Sequence, residues 1–173
     1  GVMVRPDTSE LGTGTGGGRY LMDGITLLVA DDEPIVRAFV RRFVQERGLP
    51  ASCIFEASNG REAVALALAP GPDLLLLGIR MPGADGLDAA AAILDKLPDS
   101  CVVMVTAYDE FEYARSALRT GVSDYLLKPL DPEALERHVN ASLGAMRKRL
   151  SARGAVEHPL VGMVRRYVDS HLN

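Results

Sequence analysis

The chain has little of what would send it into a membrane or build a redox centre. It contains no run of about 18 uncharged apolar residues, so no membrane-spanning helix and no membrane partner are expected. No charged, apolar and small-residue leader opens it, which points to a cytoplasmic, soluble protein. The two cysteines, Cys53 and Cys101, are isolated. With no CxxC pair they argue against a zinc or dithiol site and for two buried, reduced thiols in strands. The three histidines, His138, His158 and His171, share no ligand spacing and read as surface residues. Residues 1–24 hold seven of the 17 glycines, including the run from Gly12 to Gly18, but no strand precedes that run and no Gly-Lys-Ser/Thr follows it. It therefore reads as a flexible leader or vector remnant rather than a phosphate loop, with Met22 a candidate natural start.

What is present suffices for one domain with extensions: 173 residues, 47% of them hydrophobic. The net charge of −4 divides unevenly. From Arg137 onward, seven Lys/Arg face two acids, a balance of +5, so residues 1–136 carry −9. An acidic body with a basic tail suits a signalling module that feeds a nucleic-acid binder, and a solvated helix face explains the same tail charges.

Short apolar runs alternate with segments of helical spacing. Strands are expected at Ile25 to Ala30, near Ser52 to Phe55, from Leu74 to Gly78, at Val102 to Thr106 and at Ser123 to Leu126. Helices are expected from Pro34 to about residue 47, Asn59 to Ala69, Leu87 to Lys96, Glu110 to Arg119 and onward from Asp131-Pro132. Leu87, Ile93, Leu94 and Leu97 are expected to be buried. Five strand-helix repeats argue a parallel α/β sheet with right-handed crossovers. The run Leu74-Leu75-Leu76-Leu77-Gly78-Ile79-Arg80-Met81-Pro82-Gly83-Ala84-Asp85-Gly86 reads as a buried central strand ending at a working edge. Asp31-Asp32-Glu33, Thr106-Ala107 and Lys128-Pro129 end other strands at that edge, where open α/β sheets bind ligands.

In this order, across about residues 25–145, these residues resemble the receiver domain of two-component response regulators. The resemblance implies a doubly wound, flavodoxin-like fold with strand order 2-1-3-4-5. It implies Mg²⁺ held by Asp31, Asp32 and the backbone carbonyl of Arg80, and a sensor histidine kinase as partner. Thr106 and Lys128 would contact the phosphoryl group, Tyr125 would turn inward on activation, and the Lys128-Pro129 bond would be cis. Switching would act on the surface formed by the last two helices and the strand between them.

One position departs from the family: Gly78 stands where the phosphoaccepting aspartate belongs. Magnesium prefers hard oxygen ligands, so losing one carboxylate should weaken its binding. Lys128, deprived of that partner, is expected to lean toward Asp31 and Asp32. Three accounts of Gly78 stand side by side: a natural pseudo-receiver, an engineered loss of the site, or transfer to a neighbouring acid. The last is disfavoured because metal ligands point at the cation rather than in line with a leaving group.

Past the domain, Leu135, Val139, Leu143, Met146 and Leu150 are spaced 4, 4, 3 and 4 apart. That narrow seam predicts an extended helical connector over 146–157 that can pair with a second copy, unless Leu135 and Val139 belong to the receiver core and the other positions are coincidence. Residues 158–173, with Val161, Val164, Val168 and Leu172 on one side, resemble the opening of an AraC-type helix-turn-helix domain, as Asp109-Glu110-Phe111-Glu112-Tyr113-Ala114 resembles that branch. DNA would then be reached only through a mostly absent output domain. The reading is a non-enzymatic phosphorelay receiver controlling transcription. Its rivals are a Mg-dependent phosphohydrolase on the same fold and a metal-independent docking scaffold.

Overall fold

The computed structural model describes residues 3–4, 24–69, 71–107, 112, 115 and 121–155. The chain divides into two compact units, residues 1–143 and 144–173. In the first, β1 (Ile25–Ala30), α1 (Pro34–Glu46), β2 (Ala51–Ala57), α2 (Gly60–Leu68), β3 (Leu74–Gly78), α3 (Gly86–Lys96), β4 (Cys101–Thr106) and β5 (Asp124–Leu127) follow one another, and α4 (Pro132–Ala155) starts there and ends in the second. The five strands are parallel in the order 2-1-3-4-5, the expected doubly wound, flavodoxin-like arrangement. The expected helix over 110–119 and the output-domain segment over 158–173 lie outside the described residues.

The central strand is apolar on both faces because both are covered. Leu74 to Leu77 are fully buried. Leu75 and Leu77 pack with Ala63 and Ala67 of α2 and with Ala90 and Ile93 of α3. Leu74 and Leu76 alternate to the opposite face. Burying one such leucine contributes about 1.5–3 kcal/mol, so β3 anchors the sheet. Small residues, Ala89 and Ala90, bring α3 close to it, while Leu87, Leu94 and Leu97, expected in the core, are only partly buried at its margin. Asn59 caps α2 by accepting from the Glu62 N–H, and Asp85 caps α3 by accepting from the Leu87 N–H.

Within the expected leader, Met3–Val4 pairs antiparallel with Ile54 and Phe55 of β2, because an edge strand leaves backbone groups open to pairing. Three expectations are corrected. Cys53 and Cys101 form no disulfide and are half-buried, since each lies toward the start of its strand rather than mid-core. Leu135, Val139 and Leu143 are at most 8% exposed, so most of the proposed dimer seam is the domain's own core. His138 is a partner rather than a loose surface residue: its Nε2 lies 3.4 Å from Oδ2 of Asp124, tying α4 to β5.

Burial holds the His138 imidazole below its ordinary value of 6.5; Asp124 opposes this and Arg137 reinforces it. As pH falls through the ordinary value, the unfolded chain takes up a proton that the folded chain still resists, so stability declines. Between about pH 7.5 and about pH 5, urea unfolding should show a larger loss of stability for the wild type than for His138→Gln. Equal losses would contradict this assignment.

Candidate functional site

The carboxyl ends of the parallel strands bring the predicted residues to one edge. Asp31 follows β1, and its N–H still donates to Ala57 of β2 at 3.1 Å, which draws the residue into the sheet. Its side chain is consequently 1% exposed. Pro34 starts α1 with no N–H to satisfy, and Glu33 occupies the N-cap position. The Glu33 carboxylate makes no capping bond there. It accepts instead from Nζ of Lys128 at 2.6 Å.

Lys128 follows β5, where the Lys128-Pro129 bond is cis as expected. Its ammonium donates to Oδ1 of Asp31 at 3.2 Å and lies 2.9 Å from Oδ2. The lean of Lys128 toward acids is therefore present, with Glu33 in place of the expected Asp32. Oδ1 of Asp31 also accepts from the Glu33 N–H at 2.9 Å, while the buried Oδ2 takes no hydrogen bond. Burial raises the Asp31 carboxyl above its ordinary range, outweighing the Glu33 N–H and Lys128. Burial also pulls on Lys128, but its hydrogen bonds to Glu33 and Asp31 prevail and raise it.

Gly78 ends β3 and pairs with Val105 of β4, one residue before Thr106. A β-carbon at position 78 would lie 2.8 Å from Oδ2 of Asp31, so that carboxylate fills the space a side chain would claim. Thr106 is fully buried, and its hydroxyl donates to the Ala107 carbonyl at 2.9 Å. Tyr125, on β5 and paired with Met104 of β4, is half-buried against the core. Asp32 and Arg80 are exposed and share an open cleft of about 490 Å³ with Met81, Asp85 and Asp88. The side-chain oxygens of Asp31, Asp32 and Glu33 lie within 4.8 Å of one another, the spacing of a set that can hold a cation.

Three residues matter here that spacing alone did not single out. Glu33 adjoins the paired acids, and its place before the helix-opening Pro34 was the available signal. Arg37, one turn into α1, donates from Nη1 to the Asp31 carbonyl at 2.6 Å and fixes the end of β1. Gly86 donates its N–H to the Ile79 carbonyl at 2.7 Å, and a β-carbon there would lie 1.9 Å from the Gly78 oxygen. The loop after β3 can close over position 78 only with glycine at 86.

The response regulator receiver domain family matches residues 27–140. The transcriptional regulatory protein YxjL of Bacillus subtilis is 35% identical over 120 residues, 69% of this chain and 55% of its own. The positive alginate biosynthesis regulatory protein of Pseudomonas aeruginosa is 37% identical over 130 residues, 74% of this chain and 51% of its own. The chain thus spans about half the length of these curated relatives. Among solved structures, the receiver domain of AraT, a response regulator from Geobacillus stearothermophilus, superposes with a TM-score of 0.67 at 36% identity. That match covers 73% of this chain and 98% of the other. A two-component transcriptional regulator AraC from Clostridium phytofermentans gives a TM-score of 0.65 at 28% identity, covering 72% and 96%.

Because the 1.9 Å contact at Gly86 is with backbone rather than a mobile side-chain tip, Gly86→Ala should destabilise the domain by about 3 kcal/mol or more in urea unfolding. A change below about 0.5 kcal/mol would show that the loop does not close as described.

Proposed function

Because the chain belongs to the response regulator receiver domain family, we propose that it is a receiver in transcriptional phosphorelay signalling that has lost covalent phosphorylation at position 78. One observation carries this reading: Asp31, Asp32, Thr106 and Lys128 stand at or just past the carboxyl ends of the parallel strands beside Gly78, where glycine supplies no nucleophile. Phosphoryl transfer needs an in-line attacking atom, and the surrounding donors cannot replace one. The Asp31 carboxylate already fills the space beside Gly78, which supports a pocket settled around glycine.

The donor set suits a hard divalent cation. It consists of carboxylate oxygens within 4.8 Å of one another, including a buried Asp31 oxygen that lacks a hydrogen bond. Were Lys128 displaced from Asp31, then Asp31, Asp32 and the Arg80 carbonyl would hold Mg²⁺, whose chemistry when bound is to neutralise charge on phosphoryl oxygens. The chain's own contribution is Lys128 as an ammonium donor and Thr106 as a hydroxyl that can turn from Ala107 toward the pocket.

The parent system would supply a sensor histidine kinase in the cytoplasm. Transcriptional output would come from a DNA-binding domain of AraC type, in keeping with the AraC name of the Clostridium regulator and the likeness of residues 158–173. A homodimer through the connector would rest on Met146 and Leu150, since Leu135, Val139 and Leu143 are engaged within the domain.

Intact mass after incubation with Mg²⁺ and a small phosphoryl donor tests the central point. The wild type should stay unmodified, and Gly78→Asp should gain one phosphoryl group once Asp31 gives way by the end of its side chain. A phosphoryl group on the wild type would sink the reading.

A further inference from the structure

We propose that the ammonium of Lys128 is the resident cation of this pocket and holds out a divalent ion, so that the domain keeps one arrangement with or without Mg²⁺. The proposal rests on the reading of this strand edge as a receiver pocket. It concerns what this chain has put in place of the metal.

Topology makes the point first. Asp31 and Glu33 follow β1 and Lys128 follows β5, with β3 and β4 between them in the sheet. Lys128 must therefore reach past the ends of β3 and β4 to meet those acids. A side chain at position 78, on the end of β3, would stand in that path. The same Asp31 oxygen lies 2.9 Å from the lysine nitrogen and 2.8 Å from where a β-carbon at 78 would be. Glycine clears the route, and the lysine takes it.

The contacts are those of a built site. The nitrogen lies 2.6 Å from Glu33 and 2.9 Å from Asp31, and the Lys128 side chain is 22% exposed. Glu33 leaves the α1 N-terminus uncapped to make its contact, although a carboxylate there could have accepted a helix N–H. Asp31 cannot turn to water, because it is 1% exposed and Lys128 is the cation beside it. A divalent ion entering among Asp31, Asp32 and Glu33 must displace an ammonium held by two of the three. The resulting cross-link ties the β1–α1 junction to the β5–α4 junction without metal. Input to such a domain would come from a partner at its surface rather than from metal and phosphoryl loading.

Two measurements on the full chain test this. Wild-type melting temperatures in EDTA and in excess Mg²⁺ should agree within about 1 °C, and calorimetric titration with Mg²⁺ should show no resolvable binding. Lys128→Gln should melt lower in EDTA, recover on adding Mg²⁺, and bind Mg²⁺ at least about tenfold more tightly than the wild type. A rise of several degrees for the wild type in Mg²⁺ overturns the proposal. So does a Lys128→Gln protein that binds Mg²⁺ no better, because something other than the lysine would then exclude the ion. If Lys128→Gln does not fold, a rise in the wild-type melting temperature with Mg²⁺ still overturns the proposal. Phosphoryl uptake is read separately, by mass, so failure of the receiver reading and failure of the lysine proposal give different results.

Discussion

A carboxylate buried at the end of a strand has to be neutralised from within the chain. At Asp31 the neutralising group is Lys128, brought from the far side of the sheet. Removing one partner of a buried ion pair typically costs about 3–5 kcal/mol, because the other is left charged and dry. The two partners do not share the strain equally. Asp31 is almost fully enclosed, so burial dominates and its carboxyl is raised; Lys128 retains some solvent and gains from two acids, so its ammonium is strengthened. The lysine's contribution to stability is complete below its ordinary value of 10.5 and is lost as pH rises through the higher folded value.

The rest of the edge follows from that contact and from two glycines. Gly78 admits the Asp31 carboxylate into space that a side chain would fill, and Gly86 lets the next loop close over the Gly78 carbonyl. Arg37 adds a hydrogen bond to the Asp31 backbone, so the acid is fixed from both its ends. On the proposed reading, such a receiver would have its recognition parts assembled around a missing nucleophile. Its signalling would rest on which surfaces it presents, not on a covalent change at β3.

Most of the fold was legible because its signals are local. Short apolar runs bounded by Gly, Pro and Asp mark buried parallel strands, and the acids, threonine and lysine sit directly at their ends. What was not legible depended on distance in sequence. Nothing between Glu33 and Lys128 along the chain says that the lysine would choose Glu33 over Asp32. That choice follows from Glu33 standing at the N-cap position while Asp32 faces the open cleft with Arg80. The seam from Leu135 to Leu150 is ambiguous for a related reason: a spacing of 4, 4, 3 and 4 fits a core-facing helix as well as a coiled coil, and Leu143 lies in the core. His138 likewise looked like a surface histidine until β5 supplied Asp124 beside it.

The coupling between Asp31 and Lys128 is the claim on which the other conclusions stand, and a double-mutant cycle measures it directly. Urea unfolding of the wild type, Asp31→Asn, Lys128→Met and the double variant should give a coupling of about 2 kcal/mol or more, the double variant losing far less than the sum of the singles. Additivity within about 0.5 kcal/mol would mean that the two groups do not hold the pocket together, and the account of a lysine serving as its cation would be wrong.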